Sequence, residues 1–162
     1  MTAQAPRRTK ADGALDAALL ASRAMVGIAA RAIADLPGEL TLPQLRVLVV
    51  LHGGGRSVRS LAETLRIHPS TATRLVDRLV GKRLVHRTPG TDDRRETYLS
   101  LNATGRRVVE RVMAVRRQEL ADVLATLTPH ERDQLTWAFN RFALAAEEPA
   151  ADSWALGWAE EP

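Results

Sequence analysis

Two short amphipathic runs meet at a proline, and that junction restricts the fold more than any other stretch of the chain. Ser57 can cap the run "VRSLAETLR", and His68-Pro69 opens a second, "PSTATRLVDRLVGKR", with Ile67-His68 as the turn between them. Proline has a fixed φ and no N–H, so it suits the first position of a helix and not its interior. In the second run Ala72, Leu75, Val76 and Leu79 make a buried stripe. Ser70, Thr71, Arg74, Asp77 and Arg78 fall on the opposite side at helical spacing. Two short helices joined by a tight turn, the second polar and basic outside, describe a helix-turn-helix.

Strand signals follow directly. "LVHRT" and "TYLSL" are short β-prone runs separated by "PGTDDRRE", which predicts a two-stranded hairpin, or wing. Asp92 and Asp93 stand beside Arg94 and Arg95 at its tip. By themselves these four are a solvated turn with self-neutralising charges, or carboxylates that orient a neighbouring guanidinium by charge-assisted hydrogen bonds.

Long helices flank this core. From Leu15 the positions Leu19, Ser22, Val26, Ala29, Ile33 and Leu36 continue a 4-3-4-3 seam, which Pro37-Gly38 ends. Thr41 caps a second helix with Pro43 in its first turn, and "HGGG" at 52–55 closes it. Those glycines lack the preceding strand and following Lys-Ser/Thr of a phosphate loop. Asn102 or Thr104 starts a helix running to about Leu127, with a seam of Val109, Met113, Leu120 and Val123. The box "TPHE" then launches a last helix carrying Leu135, Phe139 and Phe142. Seams of this width at both ends predict dimerisation through the terminal helices.

The expected organisation is a tail at 1–12, one domain at 13–147 and an acidic tail at 148–162. Within the domain a winged helix-turn-helix spans about 41–101, between dimerisation helices at about 13–36 and 102–147. The fold class is mainly α with a small β-hairpin wing. Both tails are predicted to be disordered, although Trp154 and Trp158, four apart, could dock one helical turn.

Composition narrows the chemistry. The 162 residues include no cysteine, which removes disulfides, thiol switching and cysteine-ligated metals and fits a reducing cytoplasm. His52, His68, His86 and His130 have no ligand spacing, so no metal is expected. Net charge is +4, but from Arg56 to Arg117 there are fifteen Lys and Arg against six Asp and Glu, and eight against thirteen elsewhere. A basic middle between acidic ends suits a polyanion binder on a separate scaffold, or an arginine-rich solvated surface. No apolar run is expected to span a membrane, because Asp16, Arg23 and Arg31 interrupt "ALDAALLASRAMVGIAARAIA".

The run from "LAETLRIHPSTATRLVDRLV" through "GKRLVHRTPGTDDRRETYLSLNATG" resembles the DNA-binding core of the MarR family (multiple antibiotic resistance regulators). The "PSTATRLVDRL" helix, the "LVHR" strand, the wing signature Asp93-x-Arg95 and "L-x-x-x-G" into the next helix carry the resemblance. Gly81-Lys82-Arg83, where a small-turn glycine is usual, and Asn102, where threonine is usual, are mild departures. The resemblance implies that Ser70, Thr71, Thr73, Arg74 and Arg78 line the major groove of double-stranded DNA. It also implies that Arg94 and Arg95 enter the minor groove, with Asp93 bracing Arg95. Arg74 is the expected base contact, since an arginine can fork onto guanine O6 and N7. The alternative for Arg74 and Arg78 is ion pairing with Asp77 on an exposed helix.

A homodimer reading a pseudo-palindromic operator, most often as a repressor, follows from the same resemblance. So does a small aromatic or phenolic effector bound between winged domain and dimer helices, with His52, Arg87 and Trp137 as candidate contacts. The serines have no nucleophile elbow and there is no cofactor fingerprint, so neither enzyme activity nor a cofactor is expected. A winged-helix protein-interaction module and a sequence-indifferent architectural DNA binder are the competing readings.

Overall fold

A computed structural model describes residues 10–34, 36, 39–89 and 97–148. Its elements are α1 (Lys10–Ala34), α2 (Leu42–His52), β1 (Arg56–Ser57), α3 (Val58–Leu65) and α4 (Pro69–Gly81). They continue with β2 (Val85–Pro89), β3 (Thr97–Leu101), α5 (Ala103–Ala125) and α6 (Pro129–Ala145). Local chemistry sets most of these boundaries. Thr41 and Gln44 form a reciprocal capping box at α2, and Thr128 and Glu131 form another at α6. Ser57 and Asn102 cap α3 and α5 by accepting from Ser60 and Gly105 N–H.

The strands form one antiparallel sheet in the order β1-β3-β2, so the wing has three strands where the sequence suggests two. Arg56 pairs with Leu99 and Ser57 with Tyr98. Two residues are too few to leave a period in the sequence, and Ser57 also serves as the α3 cap. β2 and β3 run from Val85↔Leu101 to Pro89↔Thr97.

Helix α1 begins at Lys10, ahead of the expected domain start at 13, with Asp12 in its first turn where a carboxylate complements the helix dipole. The expectation that no run could span a membrane needs correcting: Asp12–Ala34 is long and apolar enough by length and composition. The C-terminal half of α1 nevertheless buries Ile28, Ala29, Ala32 and Ile33. Arg31 pairs with Glu119 of α5 at 2.6 Å.

The core lies under the sheet, where Val47, Leu48 and Leu51 of α2 meet Leu61, Val76, Leu79, Leu99, Val109 and Val112. Each of these side chains is essentially removed from water, worth about 1.5–3 kcal/mol for a residue of this size. Gly105 brings α5 up against the start of the wing. A Cβ there would stand 2.2 Å from Leu84 O, which accounts for the glycine in the "L-x-x-x-G" pattern.

Candidate nucleic-acid interface

The α3–α4 turn builds the interface. Arg66 adopts the left-handed conformation after α3 (φ 53°), and its N–H returns to Ala62 and Glu63 carbonyls. His68, extended, caps α4 with Pro69 in the first turn. Its Nδ1 accepts from Ser70 N–H at 3.3 Å and lies 2.8 Å from Ser70 Oγ. This cap is the feature the sequence reading missed, although a residue just before a proline at the first helical position is where a cap belongs.

Helix α4 buries Ala72, Val76 and Leu79, with Leu75 half-buried. Its buried face fixes which way the opposite, outer face points. Ser70, Thr71, Thr73, Arg74, Asp77 and Arg78 are all exposed on that face. Asp77 pairs with neither arginine of its own helix. It accepts instead from Arg87 of β2 at 2.6 Å, a link between α4 and the wing. Among the described residues, Arg74 and Arg78 have no ion pair and no side-chain hydrogen bond to another residue. The wing residues Asp93, Arg94 and Arg95 fall in the β2–β3 connection, outside the described residues.

The three candidate effector contacts occupy three separate places. His52, at the end of α2, is largely buried, with Nε2 3.8 Å from Glu110 of α5. Arg87 is taken by Asp77. Trp137 is 70 % exposed on α6, beside His130, Asp133, Gln134 and Ala138 along a shallow groove of about 540 Å³. Arg116 on α5, not singled out by its sequence context, is a half-buried guanidinium whose pKa is lowered by desolvation. Its Nη1 donates to Met113 Sδ at 3.7 Å, and no carboxylate among the described residues faces it.

Comparison with known proteins agrees with this geometry. The family model described as "MarR family" matches residues 40–97. The chain is 38% identical over 109 residues to the HTH-type transcriptional repressor MdtR of Bacillus subtilis, covering 67% of this chain and 70% of that protein. The crystal structure of RV1404 from Mycobacterium tuberculosis is 39% identical, with a TM-score of 0.79, over 90% of this chain and 100% of that one. Apo MarR from E. coli shares the fold at 22% identity and a TM-score of 0.69, over 78% and 93% of the two chains. With a winged helix-turn-helix whose basic outer helix is held open, and with these relatives, the chain belongs to the MarR family of transcriptional regulators.

Proposed function

We propose that the protein is a sequence-specific DNA-binding repressor that works in the cytoplasm as a homodimer on a pseudo-palindromic operator. The observation that carries this reading is the outer face of α4. Arg87 takes up the one carboxylate there, leaving Arg74 and Arg78 for an external anion. Phosphates give such a face affinity, and guanine O6 and N7 give a forked arginine its specificity. In this reading Ser70, Thr71, Thr73, Arg74 and Arg78 face the major groove. Arg94 and Arg95 enter the minor groove, where narrow A·T segments concentrate negative potential, and Asp93 orients Arg95. Repression is supported by the name of the relative MdtR.

The dimer is supported by the apolar residues the single chain leaves in water, among them Leu19, Val26, Phe139, Phe142 and Leu144. Arg116 supports an anionic aromatic effector. A guanidinium stays charged on burial, so a desolvated one without an acid favours an anion beside it. A thermal-shift series with aromatic acids should raise the apparent stability of the wild type and not of Arg116→Met.

Retardation of the upstream intergenic DNA, titrated with salt and random competitor, tests the reading. A footprint of two half-sites about one duplex turn apart is expected. No retardation at low salt would leave a protein-interaction module. Equal competition by random DNA would leave an architectural binder.

A further inference from the structure

We propose that α4 meets DNA with the hydroxyls of Ser70 and Thr73 locked as hydrogen-bond acceptors, so that the protein selects base pairs presenting an exocyclic amino group at those positions. The inference rests on the DNA-binding reading above and goes beyond it to what the helix reads.

Proton positions follow from the partners. A backbone N–H can only donate, and Ser70 N–H reaches His68 Nδ1, so that nitrogen carries the lone pair and the ring proton is on Nε2. Ser70 Oγ, 2.8 Å from the same unprotonated nitrogen, must then supply the proton between them. Thr73 Oγ1 donates to Pro69 O at 3.0 Å, and a carbonyl can only accept. Both hydroxyls therefore face outward with lone pairs alone. Thr71 differs, because its hydroxyl has no hydrogen-bond partner among the described residues and keeps its proton for an outside acceptor.

The consequence is chemical selection. Phosphate oxygens, guanine O6 and N7, and thymine O4 are all acceptors, so none of them matches Ser70 or Thr73 unless an internal bond breaks. Adenine N6 and cytosine N4 are the donors in the major groove. Thr71 and the Nε2–H of exposed His68 are left as donors suited to phosphate. His68 is thus a positioning residue that sets the polarity of Ser70 without having to touch a base.

The test uses the full chain and a duplex it selects from a random pool. Each adenine of the selected half-site is replaced in turn by purine deoxyriboside, and each cytosine by its 4-deamino analogue, which removes one amino group at a time. Wild type should lose about three- to tenfold at the position facing Ser70, the scale of one neutral hydrogen bond. Ser70→Ala should lose nothing further there, and Thr73→Val should behave likewise at its own position. His68→Asn should keep the wild-type pattern, because Asn Oδ1 is also a capping acceptor, whereas His68→Ala should flatten it at the Ser70 position and leave the Thr73 position unchanged. Specific binding with no such coupling, or an unchanged Ser70 position in His68→Ala, overturns the proposal alone. Failure to select any specific duplex overturns the DNA-binding reading and the proposal with it.

Discussion

Asp77 is the one carboxylate on the outer face of α4, the face proposed above to meet DNA. It stands between Arg74 and Arg78 in sequence, and Arg87 from the neighbouring strand neutralises it at 2.6 Å. The pair is largely exposed, so it adds little to stability. Its effect belongs to binding. Arg87→Ala should weaken DNA affinity roughly fivefold, since an uncompensated unit charge about 4 Å away costs about 1 kcal/mol in water. Adding Asp77→Ala should recover most of that loss, and fluorescence anisotropy on labelled operator measures both; equal weakening by the two variants would deny the compensation. Arg74→Ala should relax preference at one base pair per half-site by about 1–3 kcal/mol. If it weakens every sequence alike, Arg74 contacts phosphate only. The outer face of α4 was legible from helical periodicity, because Ala72, Val76 and Leu79 leave it no other orientation. Asp77's partner was not legible, because periodicity orders residues within a helix and says nothing about which strand lies beside it.

At the scale of elements, the Ser, Thr and Asn caps were readable, while the His68 cap and the close approaches were not. The box at Thr128 and Glu131 appears in the sequence as "TPHE" and in the structure as bonds of 2.8 and 2.7 Å from Thr128 N–H and Oγ–H to the carboxylate. The hydroxyl bond, then the backbone bond, holds the Glu131 carboxyl below the usual carboxylate range. A depressed acid stabilises the folded state above its ordinary range, and that contribution disappears as pH falls through the depressed value. Thermal melts should therefore separate wild type from Glu131→Ala at neutral pH and bring them together in acid. Gly105 is the opposite case. Only the packing shows that a Cβ there would run into the Leu84 carbonyl, a backbone atom that cannot rotate away. Gly105→Ala should lower stability by about 1–3 kcal/mol, the usual range for overpacking, seen as a fall in Tm. Arg83 explains a departure noted from the sequence. It holds a left-handed φ of 56° after α4, at the turn where a glycine is usual in the family.

For the whole molecule, the divided distribution of apolar surface is the dominant fact. The winged core closes on itself, while α6 buries none of its residues and Phe142 remains 63 % exposed. Charges tie this outlying helix back to the core, through Arg46–Glu148 at 3.2 Å and an Arg66–Glu147 pair at the helix-turn-helix. Exposed apolar patches of this kind mark association surfaces. In the proposed dimer, Phe142→Glu should lower the mass in sedimentation to that of one chain and weaken operator binding, because two half-sites would then be engaged separately; a wild type that already sediments as one chain would deny the dimer. An unchanged mass would move the interface elsewhere.

Helix order, the Ser, Thr and Asn caps, the turn at His68-Pro69 and the basic outer face were set by local chemistry within a few residues, so the linear chain displayed them. Strand β1, the place of Gly105 against Leu84, the assignment of Asp77 to Arg87 and the separation of His52, Arg87 and Trp137 depend on which distant segments touch. Contacts between segments far apart in the chain have no period in the sequence, and packing alone resolves them. The "DDRR" connection belongs to both sides: its charges are evident in the chain, and the strands Val85–Pro89 and Thr97–Leu101 that flank it make it the wing's connecting segment.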